Sequence, residues 1–105
     1  MIQKGFHTAT IADINPVERK GFAYVDISLE MQDKILRYSV PANLSKASRL
    51  GAIVMDFGLA TDEQLDAETD INLSSLCGKP AEVLIEHVTK DGRTFANVTK
   101  LAPAN

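Results

Sequence analysis

Five carboxylates, Asp62, Glu63, Asp66, Glu68 and Asp70, crowd into nine residues of a 105-residue chain, and they are the first candidates for chemistry. Oxygen ligands at this density suit a calcium ion. An EF-hand loop, however, needs a central glycine and a closing glutamate at fixed offsets, and no glycine stands between Gly58 and Gly78. The segment therefore reads as a solvated acidic loop at about residues 60–76 that serves solubility or holds a basic partner. Asp56-Phe57-Gly58 repeats the magnesium-binding tripeptide of protein kinases, but no glycine-rich phosphate loop or catalytic-loop motif accompanies it. It reads as a helix end with Phe57 packed inward.

Nucleophilic and metal chemistry fare no better. His7 and His87 are the only histidines, and with Cys77 they match no zinc spacing. A lone Cys77 cannot form an internal disulfide and is expected to be a small buried hydrophobe. Ser39, Ser45, Ser48, Ser74 and Ser75 lack the glycines of a nucleophile elbow. No catalytic residue, metal or cofactor is expected.

Aromatic rings beside cations form the remaining pattern. Arg19 and Lys20 precede Phe22 and Tyr24, Lys90 and Arg93 flank an Asp-Gly pair just before Phe95, and Arg37 stands on a strand between them. Rings outside the core can stack on unpaired bases while Lys and Arg neutralise phosphates, the two requirements of a sequence-tolerant single-strand binder. Asn97 shares the alternation of Phe95 and extends that face. The plainer alternative covers Phe22 and Tyr24 with a helix or a partner subunit. A net charge of −3 gives no global basic field, but the acidity is local. Without the five clustered acids, nine carboxylates face eleven Lys and Arg, a balance of +2.

The elements that must position these groups are short. Phe22 to Met31 alternates Ala23, Val25, Ile27, Leu29 and Met31 with Phe22, Tyr24, Asp26, Ser28 and Glu30, the period of a half-buried strand. The run from Phe6 to Ile14 is a strand ended by Asn15-Pro16, and Gly21 closes the loop holding Arg19 and Lys20. After a turn at Gln32-Asp33, Lys34 to Val40 alternates again, with Leu36, Tyr38 and Val40 on one face, until Pro41. Ser45 is placed to cap a helix through Ala47, Leu50, Val54 and Phe57, with Ile53 beside them and Gly58 as terminator. Gly51 weakens it by about 1 kcal/mol. Leu65 and Ile71 are isolated anchors in the acidic loop, which has room for a short helical turn. Ala81 to Val88 and Arg93 to Leu101 form a hairpin about Asp91-Gly92.

The expected order is strand-strand-strand-helix-strand-strand, mainly β with one helix, in a single domain spanning residues 1–105. It is the connectivity of the five-stranded, OB-fold-like barrel, whose loops between strands one and two and between four and five flank a ligand face, although a three-stranded meander with a separate hairpin packed on one helix gives the same order. The lack of any long apolar run argues against a membrane span, and the N-terminus has no signal segment, so a cytoplasmic protein is expected.

Gly5-Phe6 with Ala9, Ile11 and Ile14, the Gly21 turn, Val40-Pro41 and Phe57-Gly58-Leu59 follow one another along the chain, and with them go Leu76 to Pro80 and the hairpin from Lys90 to Val98. In this layout the chain resembles small phage- and prophage-encoded OB-fold proteins of the single-stranded-DNA-binding type. The resemblance implies an oligomeric accessory of phage or prophage DNA replication or recombination, binding single strands without base preference and working with a phage or host protein of those processes. It departs from bacterial single-strand binders at Ala102-Pro103-Ala104-Asn105, where those have an acidic tail ending in phenylalanine. On this reading Arg19, Lys20, Arg37, Lys90 and Arg93 meet the backbone, and Phe22, Tyr24 and Phe95 stack bases. The rival is a protein–protein adaptor that uses strand edges or the segment from Asp62 to Asp70 and never touches nucleic acid.

Overall fold

The computed structural model describes residues 2–31, 34–45, 47–67 and 71–104. Five antiparallel strands, β1 (Gly5–Arg19), β2 (Phe22–Met31), β3 (Lys34–Pro41), β4 (Pro80–Lys90) and β5 (Arg93–Pro103), make one sheet in the order β3-β2-β1-β4-β5. Strand β1 joins its two halves. Residues Gly5 to Thr10 pair with β4, and Thr10 to Arg19 pair with β2. Between Ile11 and Asp13 the register slips by one residue, a bulge at Ala12 that bends the strand where it changes partner. Helices α1 (Arg49–Asp56) and α2 (Asp62–Asp66) and a 3-10 turn at Leu73–Leu76 fill the connection from β3 to β4.

Alternation decides which face is buried. Val25, Ile27, Leu29 and Met31 of β2, Tyr38 and Val40 of β3, Ala9 and Ile11 of β1, and Ala81, Val83 and Ile85 of β4 all point inward. They pack with Leu50 and Ile53 of α1 and with Leu76 as the main core. Each large aliphatic side chain taken fully from water contributes roughly 1.5–3 kcal/mol, so the inward residues fix the register. A second, smaller cluster joins Val54 of α1 to Ala60 and Leu65, with Ile71 packed against it.

The sheet curls without closing. Residues of β3 and β5 come within 8 Å of each other between Cα atoms, but no ladder joins them among the described residues. The hairpin ends project beyond the shared core: β4 past Ile85 pairs only with β5, and β1 past Ile11 pairs only with β2. The radius of gyration, 14.2 Å, accordingly exceeds the roughly 13 Å of an average compact domain this size.

Several local expectations are corrected. Strand β1 does not stop at Asn15-Pro16 but runs to Arg19: among the described residues its outer edge there pairs with no strand, and on such an edge a proline needs no ladder bond. The turn is only Lys20-Gly21, both with positive φ, and Asp91-Gly92 repeats it. Two successive left-handed residues are the mark of the tight type I′ hairpin. The cap of α1 is Ser48, whose hydroxyl accepts from the Gly51 backbone N–H, so Ala47 lies outside the helix and is exposed. Ser45 has a different role: its carbonyl sits where a Cβ on Gly51 would be, 1.6 Å away. Gly51 is therefore a close-approach residue rather than a weak point.

Gly58, at φ +75°, ends α1 as foreseen, with Gly58 N–H to the Met55 carbonyl and Leu59 N–H to the Val54 carbonyl. To the single expected helix the acidic segment adds the short helical turn it had room for. In the acidic segment a Thr61/Gln64 capping box starts α2, and Leu65 holds it to the second cluster. Cys77 is exposed, not buried. The Gln32-Asp33 turn, Glu68 and Asp70, and Asn105 lie outside the described residues. Among the described residues no helix is long and apolar enough to cross a membrane.

Candidate nucleic-acid interface

The outward face of β1, β2 and β3 is built by register. Arg19 pairs with Phe22, Val17 with Tyr24, Asn15 with Asp26 and Asp13 with Ser28. On the far side of β2, Tyr24 meets Pro41, Asp26 meets Ser39 and Ser28 meets Arg37. Directly opposed residues share a face, so Phe22, Tyr24 and Arg37 share the face their alternation implied, and Arg19, expected in the loop, is instead the last residue of β1 on that same face. Phe22 is 67% exposed. Tyr24 is half-buried, and Lys20 occupies the turn at the end of this face.

Asp26 lies at the middle of that face and was not singled out by the sequence. It is the one buried charged residue among those described, at 6% exposure. Arg19 donates two bonds to it, Nη1 to Oδ1 at 3.0 Å and Nη2 to Oδ2 at 2.5 Å. The Ser39 hydroxyl donates to Oδ1, and Arg37 Nη1 stands 3.7 Å from Oδ2. Hydrogen bonding by Arg19 outweighs the burial penalty and, with the Ser39 bond and the nearby Arg37 charge, lowers the Asp26 pKa to about 2. The same bond to Asp26 raises Arg19 above its ordinary value. A planar guanidinium engaged by both nitrogens is held in place. Arg19 is thus a positioning residue, and its charge is spent on Asp26 rather than left for a ligand. Arg37, with a side chain 64% exposed, keeps a free side.

The second group sits on the other hairpin. Lys90 pairs with Arg93 and Val88 with Phe95 on the outward face of β4 and β5, and Asn97 follows opposite Glu86. Lys90 and Arg93 are exposed and Phe95 is 47% exposed. Phe95 lies on a different hairpin from Phe22 and Tyr24. What connects the two hairpins is a groove of about 560 Å³ along the seam between β3 and β5, lined by Arg37, Tyr38, Ser39, Arg49, Asn97, Val98 and Thr99. Arg49, Ser39 and Thr99 were not expected there. Arg49 opens α1, and α1 packs against both β3 and β5. Thr99 is the extra residue of a bulge in β5, between the Leu84–Lys100 and Ile85–Val98 pairs.

Of the five clustered acids, the structure describes Asp62, Glu63 and Asp66, which are exposed on α2. His7 and His87 are strand residues, each hydrogen-bonded to a backbone carbonyl near the N-terminus, Gln3 at 2.6 Å and Ile2 at 2.8 Å. Among the described residues no three His, Cys, Asp or Glu side chains gather as a metal would require. No protein-family model matches the chain, and no curated protein matches it.

Proposed function

We propose that this protein binds single-stranded nucleic acid, DNA first, on the outward face of β1, β2 and β3 and on the β4–β5 hairpin. The observation that carries this is the exposed Phe22 on the same sheet face as Tyr24 and, farther along it, Arg37, with Lys20 at the turn. Solvent-facing rings on a rigid sheet offer stacking to unpaired bases, and neighbouring cations meet the backbone. Phe95, with Lys90 and Arg93, extends the surface to the second hairpin. An OB-like barrel is the architecture this reading implies. It is supported by the strand order and by the four antiparallel steps from β3 to β5, which leave these two edge strands running in the same sense where they approach each other. The role is non-enzymatic, that of a cytoplasmic accessory to phage or prophage DNA replication or recombination. The unpaired outer edge of β1 favours a homodimer or higher oligomer.

One observation favours the adaptor reading instead. Phe6, Val88 and Phe95, 64%, 42% and 47% exposed, all point outward from the same half of the sheet and would suit a protein partner. Ultraviolet crosslinking of the full chain to oligo-dT separates the two. Crosslinked peptides containing Phe22, Tyr24 or Phe95 support the proposal; crosslinks confined to other peptides, or none at saturating oligonucleotide, refute it.

A further inference from the structure

Resting on that reading, we infer that the groove between β3 and β5 is the cleft in which the nucleic-acid backbone is held, with Arg37 and Arg49 gripping phosphate from its two sides. The groove is polar. Among the described residues its charged lining is two arginines, and the Asn97 amide adds a donor, while the Ser39 hydroxyl is already given to Asp26 and the Thr99 hydroxyl to the Leu84 carbonyl. Two guanidinium groups beside one groove repel each other unless an anion lies between them. Arg49 has no ion-pair partner among the described residues, and Arg37 has only the longer approach to an Asp26 already engaged by Arg19.

Arg49 is also badly placed for stability. It is the first residue of α1, where the helix dipole disfavours a cation, and no acidic residue offsets it in the first turn. A residue that opposes its local element marks a site where another requirement wins. The requirement assigned here is phosphate, which guanidinium groups bind through paired N–H donors. The cleft carries no exposed ring. Bases therefore stack at Phe22 and Tyr24 on one side and at Phe95 on the other, while the cleft holds the backbone that passes between them.

The test uses the full-length protein and two probes. Titrated with inorganic pyrophosphate, the ¹⁵N-labelled chain is expected to show amide shifts at Ser39, Arg49, Asn97 and Thr99 that are lost in Arg49→Gln. With oligo-dT, Arg49→Gln is expected to weaken binding roughly tenfold and to reduce the salt slope by about 0.7. Its thermal stability should be unchanged or higher, which excludes loss of fold as the cause. Pyrophosphate shifts centred on the hairpin turns, or an Arg49→Gln protein with unaltered slope, would overturn the cleft even if oligo-dT binds. Groove-centred pyrophosphate shifts in a protein that ignores oligo-dT would uphold the cleft as an anion site and refute the wider nucleic-acid reading.

Discussion

Replacing Asp26 by Asn removes the charge around which the outward face is arranged, and the structure sets the size of the effect. The carboxyl falls from 3.8 to about 2 on folding, which corresponds to roughly 2 kcal/mol of linkage. Because the Arg19 side chain is 41% exposed, solvent screening reduces this to about 1–2 kcal/mol. Between pH 2 and 4 the unfolded chain binds a proton that the folded chain does not, so the contribution is complete above about pH 4 and is lost as the pH falls toward 2. Urea unfolding of the two proteins at pH 7 and near pH 2 measures it directly. Asp26→Asn should be less stable by about 1–2 kcal/mol at pH 7, with the gap closing in acid. A gap that persists undiminished near pH 2, or none at neutral pH, refutes the ion-pair explanation. The same variant frees Arg19 and Arg37, so its affinity for oligo-dT should rise and its salt slope should steepen by up to about 0.7.

Gly51→Ala should destabilise the protein by at least about 2 kcal/mol in urea. Helix propensity alone gives the opposite sign, a gain of about 1 kcal/mol, because it does not register the Ser45 carbonyl 1.6 Å from the new Cβ. Phe22→Ala and Tyr24→Ala should each cost on the order of 1–3 kcal/mol of oligo-dT binding in anisotropy titrations. The Phe22 variant should unfold at the wild-type urea concentration, since that ring is already 67% exposed. Neutralising Asp62 and Glu63 should leave oligo-dT affinity intact or raise it; a large loss of affinity would place the ligand on α2 instead.

The inward pattern of β2 and β3 was legible because period-two alternation survives any register, and the Asp-Gly hairpin because that pair has one strongly preferred turn. That Phe22, Tyr24 and Arg37 share a face followed from the same alternation, whereas Arg19 was expected in the loop before Gly21 and belongs to β1. Asp26 was read only as an outward residue. Its importance depends on which residues on β1 and β3 oppose it, and pairing register is a nonlocal property that one strand cannot disclose. Arg49 was hidden for a similar reason: only the packing of α1 across β3 and β5 brings it to the seam. Pro16 and Gly51 misled because each was weighed by its average cost. An unpaired edge accommodates the first, and a carbonyl in close approach requires the second. The α2 helix had a sequence signal in Thr61 and Gln64, a capping box obscured by the acidic residues around it.

The most direct measurement is fluorescence anisotropy of a labelled oligo-dT of about thirty nucleotides, against a duplex of equal length, at about 50 and 200 mM salt. With four or five phosphate contacts at about 0.7 each, the account expects saturable binding that prefers the single strand. That binding should weaken roughly fifty- to a hundredfold or slightly more over this range. Equal affinity for duplex, an affinity indifferent to salt, or no binding at tens of micromolar protein would contradict it.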